Sequence, residues 1–177
     1  MELLKVHDKQ FKPFISAEQI NEQVKRVAAE INKDYKGKRP LFIAILNGAF
    51  MFASDLFKEI TVEAEICFIK LASYKGVTST GQVVTAIGLD VDIVGREIII
   101  IEDIIDTGKT LSHFLPQLKN HHPASLKIAA LLQKPDALAY KIKINYLGFE
   151  VPNNFLVGYG LDYDGLGRNI KEIYQLQ

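Results

Sequence analysis

Three carboxylates stand close together in the chain: Glu102, Asp103 and Asp106. Thr107, Gly108, Lys109 and Thr110 follow at once. Oxygen-rich acids of this kind suit ribose hydroxyls or Mg²⁺, which prefers oxygen ligands. Two threonine hydroxyls and a glycine suit a phosphate, because glycine lets the backbone N–H groups approach it closely. A phosphate cradle beside a diol or metal site points to a sugar phosphate. The plain alternative is that the acids solvate a loop and cap a helix.

These residues need an element on each side to hold them. Ile98 to Ile101 form a β-branched apolar run that suits a strand buried on both faces. Leu111, Phe114, Leu115 and Leu118 then recur on one face of a helix. The reading is strand, acidic turn, small-residue loop and helix N-terminus, where unpartnered N–H groups bind anions. Gly108-Lys109-Thr110 also reads as the end of an ATP-binding P-loop. That motif requires a glycine five residues before Gly108, and Asp103 stands there instead. A carboxylate would repel the triphosphate, so the P-loop is excluded.

The remaining elements have the same rhythm. Ser16 and Gln19 form a capping box ahead of a helix carrying Ile20, Val24, Val27 and Ile31. Leu41 to Leu46 is a second buried strand, with Asn47-Gly48 as a turn and a helix over Ala49 to Ile60. That turn is either an ordinary connection or a second anion site. Glu65 to Ala72, Gln82 to Gly88, Ser125 to Leu132 and Ile144 to Val151 read as further strands. Residues 1–15 are mixed and assigned to no element. Ser73 to Gly81 is rich in Ser, Thr and Gly, as a hairpin loop would be.

Bulk properties set the class. A chain of 177 residues with 48% hydrophobic and 24% charged residues fits one α/β domain over 1–177. Basic and acidic residues balance at 21 each, which argues against a broadly basic nucleic-acid binder. The single cysteine, Cys67, excludes an internal disulfide. Neither a signal peptide nor a run of transmembrane length is visible, so a cytoplasmic protein is expected.

The stretch Ile98 to Leu111, IIIIEDIIDTGKTL, resembles the ribose-phosphate signature of the type I phosphoribosyltransferases. More narrowly it is similar to that of the hypoxanthine-guanine phosphoribosyltransferases. The resemblance extends roughly from Phe11 to the C-terminus. It implies a mainly parallel central sheet flanked by helices, a small hood and a mobile lid. It implies transfer of 5-phosphoribosyl from phosphoribosyl diphosphate to hypoxanthine or guanine, with Mg²⁺, as in purine salvage. Glu102, Asp103, Thr107, Gly108, Lys109 and Thr110 would hold ribose and 5′-phosphate. Glu102, Asp103 and Asp162 would hold the metal.

Leu46, Asn47, Gly48 and Arg168 would meet diphosphate, with a cis peptide between Leu46 and Asn47. Many relatives have Lys where Asn47 stands, so a side-chain charge is missing there. Gly165 and Gly167 replace bulkier residues, which would leave Arg168 more loosely held. Lys134 would donate to the oxygen of a 6-oxopurine, Phe155 would stack on the base, and the backbone of Leu156 would read its edge. By themselves these residues also read as a solvated lysine and core apolar side chains. Asp106 would be the general base at N7, with a structural role as the alternative. Ser73 and Tyr74 match the start of the lid. A homodimer or homotetramer acting on small molecules is expected, with neither nucleic acid nor membrane as partner. Two other readings remain: an enzyme accepting xanthine, and a regulator that keeps the fold and binds nucleic acid.

Overall fold

A computed structural model describes residues 3–73 and 83–177. The elements in chain order are strands β1 (Leu4–Val6) and β2 (Lys9–Ile15), helix α1 (Ala17–Asp34), strand β3 (Leu41–Leu46) and helix α2 (Phe50–Lys58). Strands β4 (Glu65–Ser73), β5 (Val83–Ile87) and β6 (Glu97–Ile105) follow, then helix α3 (Lys109–Lys119). Strands β7 (Ser125–Gln133), β8 (Tyr146–Glu150), β9 (Leu156–Val157) and β10 (Ile173–Leu176) complete the chain.

Six strands form the main sheet in the order β5-β4-β3-β6-β7-β8. Its strands run parallel except β5, which pairs antiparallel with β4. β6 lies near the centre because both of its faces are apolar and must be covered. Ile99 and Ile101 pack with α1 and α2, whereas Ile98 and Ile100 pack with Leu111, Phe114 and Leu118 of α3. The capping box at Ser16 and Gln19 closes the start of α1 as the sequence indicates. α2 spans Phe50–Lys58, shorter than the expected Ala49 to Ile60.

Residues 1–15, left unassigned by periodicity, supply part of a second sheet. Its order is β1-β2-β10-β9, all antiparallel, so the N-terminal hairpin pairs with the C-terminal strand. This is the hood. Phe11 and Val157 are fully buried in its small core. Among the expected lid residues, Ser73 ends β4 and Tyr74 lies outside the described residues. Among the described residues, no helix is long and apolar enough to cross a membrane.

Candidate active site

The expected break after Ile101 is displaced: β6 continues through Ile105. Its ladder with β7 still pairs Glu102 with Ala130 and Ile104 with Leu132. The acids therefore sit on a strand, where successive side chains point to opposite faces. Glu102 and Asp103, adjacent in sequence, consequently line different cavities.

The first cavity, of about 120 Å³, is formed by Glu102, Asp106 and the loop Thr107, Gly108, Lys109 and Thr110. Gly108 caps α3 in the left-handed region at φ 76°, where glycine carries no steric cost. A side chain at Gly108 would also press on Ile142 Cγ1 at 2.9 Å and Tyr140 O at 3.1 Å. The loop is held from behind, because the Ala139 and Tyr140 N–H groups both donate to Thr107 O at 3.0 and 3.1 Å. The Lys109 N–H donates to Thr107 Oγ1 at 3.2 Å, and the N-terminus of α3 opening at this loop suits one phosphate.

The second cavity, of about 260 Å³, is lined by Asp103, Asp106, Lys134, Phe155, Leu156 and Asp162, with Ile104 and Leu161. Lys134 is almost fully buried, and its Nζ lies 3.2 Å from Asp106 Oδ2. Two hydrogen-bonding groups of opposite sense thus sit side by side, one donor and one acceptor. Phe155 keeps 44% of its surface exposed. Phe11 and Tyr163 pack against it, with ring centroids 6.2 and 5.7 Å away. An exposed aromatic face held from behind is a stacking platform.

The turn after β3 lies against this site. The Leu46–Asn47 peptide is cis. Gly48 is there because a Cβ would overlap the Asp103 carboxylate. Gly160, at φ 97°, is equally constrained, since its Cβ would overlap Gly48 O. Arg168, expected to be loosely held, has two partners. Its Nη1 donates to Gly160 O at 2.6 Å, and its Nη2 pairs with Asp162 Oδ1 at 2.7 Å.

Burial governs the acids. Glu102 is pushed well above the usual carboxylate range by loss of water, and Asp103 pushes it further. Asp103 is raised to about 6, again chiefly by burial. Hydrogen bonds from the Ile104 and Asp103 N–H groups and the charge of Arg168 oppose that rise, while Asp162 adds to it.

The metal expectation is narrowed by this arrangement. Among the described residues, no three or more His, Cys, Asp or Glu side chains group to hold an ion. Mg²⁺ is ordinarily bound by one or two carboxylates together with substrate phosphates, not by an all-protein cage. Asp103 and Asp162 share a cavity and fit that pattern, whereas Glu102 faces the other cavity.

Sequence reasoning missed several contributors: Ile104 and Leu161 in the wall, Gly160 against the turn, and Tyr163 behind Phe155. Only Gly160 carried a signal, as one of two glycines bracketing Tyr159.

A loop suited to phosphate, a second cavity beside it and a turn at the ends of parallel strands fit a nucleotide-forming or nucleotide-binding α/β protein. Comparison with known proteins gives the class. The sequence profile of the phosphoribosyl transferase domain matches residues 16–164. The hypoxanthine-guanine phosphoribosyltransferase of Lactococcus lactis is 42% identical over 90% of this chain and 87% of its own. That of Streptococcus pneumoniae is 42% identical over 92% of this chain and 91% of its own. A crystal structure of a hypoxanthine phosphoribosyltransferase from Staphylococcus aureus superposes with a TM-score of 0.89 at 38% identity. It covers 94% of this chain and 91% of that one. The chain belongs to the phosphoribosyltransferase family, and within it to the hypoxanthine-guanine phosphoribosyltransferases.

Proposed function

We propose that this single-domain enzyme joins hypoxanthine, and guanine as well, to the 5-phosphoribosyl group of phosphoribosyl diphosphate, releasing diphosphate. The observation that carries this reading is the Lys134–Asp106 pair at 3.2 Å beside the Phe155 face. In a 6-oxopurine, O6 and N7 are neighbours on one edge. Lys134, a donor only, suits O6, and Asp106, an acceptor when ionised, suits the N7 proton. Adenine offers an amino group where Lys134 needs an acceptor.

The two cavities divide the remaining work. Thr107 to Thr110 hold the 5′-phosphate, with Glu102 at the ribose. Phe155 stacks on the base and Leu156 reads its edge through the backbone. As N9 bonds to C1′, the bond from C1′ to the diphosphate oxygen breaks and Asp106 accepts the N7 proton. Negative charge then grows on the leaving diphosphate. Arg168 and the N–H groups of the 46–48 turn are placed to meet it, the preorganised electrostatics that lower such barriers. Asp103 and Asp162 would hold Mg²⁺ brought with the substrate, which supplies further charge neutralisation there. The binding of remote phosphate and base positions C1′ for attack. By analogy with its family, the enzyme works as a homodimer or homotetramer.

The test is a panel of hypoxanthine, guanine, xanthine and adenine with phosphoribosyl diphosphate and Mg²⁺, following nucleotide formation. Turnover of hypoxanthine and guanine is expected. Turnover of adenine alone would refute the Lys134 argument, and no turnover with retention on nucleic acid would favour the binding-protein reading.

A further inference from the structure

The loop carrying Asp162 and Arg168 is held at its far side by a contact outside the two cavities. Tyr159 Oη donates to Asp55 Oδ2 at 2.7 Å, joining that loop to α2. Tyr159 is buried, at 4% exposure, and burial keeps its phenol protonated and therefore a donor. It adopts φ 48° between Gly158 at 104° and Gly160 at 97°, so three consecutive residues occupy the left-handed region. A non-glycine residue in that region is held there by its surroundings. The same pair lines a cavity of about 370 Å³ with Ile20, Val24 and Met51. Tyr159 packs into the main core on its other side, and beside this cavity the hydroxyl–carboxylate contact is what ties the loop to α2.

The neighbours of Tyr159 show what it positions. Its own N–H donates to Ile170 O at 2.7 Å, and that of Gly160 donates to Arg168 O at 3.0 Å. Gly160 O accepts from the Arg168 guanidinium, and the Gly160 backbone rests on Gly48 O. α2, which carries Asp55, begins two residues after Gly48.

We propose that Asp55 and Tyr159 are positioning residues for diphosphate. Their hydrogen bond sets the spacing between the 46–48 turn, extended into α2, and the loop bearing Arg168 and Asp162. This rests on the functional reading above. It adds that the diphosphate half of the site depends on a pair that touches no substrate. Purine binding depends on it much less, because Lys134 stands on the main sheet side and Phe155 and Leu156 are held by the β9–β10 ladder and Phe11.

The test is steady-state kinetics on Tyr159→Phe, Asp55→Leu and Asp55→Asn, at a temperature where circular dichroism shows each folded. Tyr159→Phe removes only the hydroxyl. It is expected to raise KM for phosphoribosyl diphosphate by roughly 10- to 150-fold, the weight of one hydrogen bond to a charged acceptor. KM for hypoxanthine should stay within about twofold, a split that a loss of stability alone does not produce. Asp55→Leu should match Tyr159→Phe, and Asp55→Asn, which keeps an acceptor for the phenol, should restore most of the affinity. The Kd for diphosphate with Mg²⁺, measured by calorimetry, should follow the same order and needs no turnover. An unchanged KM for phosphoribosyl diphosphate in Tyr159→Phe, or an equal rise in both KM values, overturns the proposal. If wild-type enzyme turns over no purine, the functional reading fails instead, and the diphosphate Kd series decides the role of the pair.

Discussion

Asp106 and Glu102 are both acids on β6 or just past it, but burial gives them opposite duties. Asp106 is half exposed and pairs with Lys134, which fits the proposed role of accepting a proton from a bound base. Asp106→Asn should keep the fold and lower kcat by roughly 10²–10⁴, the usual worth of a general base. A presteady-state burst of unchanged rate in that variant would remove Asp106 from the role. Glu102 is buried at 8% exposure and favours its protonated form. The sign of its effect on stability follows. Between the ordinary carboxylate pKa of ~4.3 and the raised native value, the native state keeps a proton that the unfolded chain has lost. Stability therefore falls as pH rises through that window. Glu102→Gln abolishes this loss, so urea unfolding should show the variant gaining on wild type at about pH 8 and not at about pH 4. A constant difference at both values would place the proton elsewhere.

At the scale of elements, what the sequence made legible was local. The isoleucine run, the small-residue loop and the apolar face of α3 are contiguous, so strand, cradle and helix could be read in order. The extension of β6 through Ile105 was hidden because Glu102 and Asp103 interrupt the apolar run. Register with β7 carries the strand past them. Strict alternation, applied two residues further, would have separated the two acids onto different faces. The hood was not legible, because β2 finds its partner in β10 at the other end of the chain. Short strands with distant partners leave no local pattern. Nor does sequence reveal that Gly48 and Asp103 touch. Gly48→Ala should force the Asp103 carboxylate aside without burying or exposing a core residue. We expect kcat/KM for phosphoribosyl diphosphate to fall on the order of 10²-fold, as for other small displacements of positioning groups. The thermal midpoint should change little, and a wild-type kcat/KM would mean that Asp103 accommodates the methyl group without cost to the reaction.

For the molecule as a whole, the site exists only where the two sheets meet. The main sheet delivers Asp103, and the loop between β9 and β10 delivers Asp162 and Arg168. Their charges converge on one titration. Burial lifts Asp103 to about 6, Arg168 draws it down, and Asp162 lifts it. Mg²⁺ coordination requires the ionised carboxylate. In free enzyme, then, kcat/KM for phosphoribosyl diphosphate should rise with pH through about 6. The 5′-phosphate of the substrate itself loses its second proton near pH ~6, so an inflection there is not by itself diagnostic. The variants separate the two sources, because the substrate is the same in each. Arg168→Gln removes the lowering charge and should move the inflection upward, as well as reducing kcat. Asp162→Asn removes the raising charge and should move it downward. Opposite displacements in the two pH profiles would tie the acid limb to Asp103 and to the closeness of the hood loop. Coincident profiles would assign the limb to the substrate phosphate and leave Asp103 ionised throughout the working range.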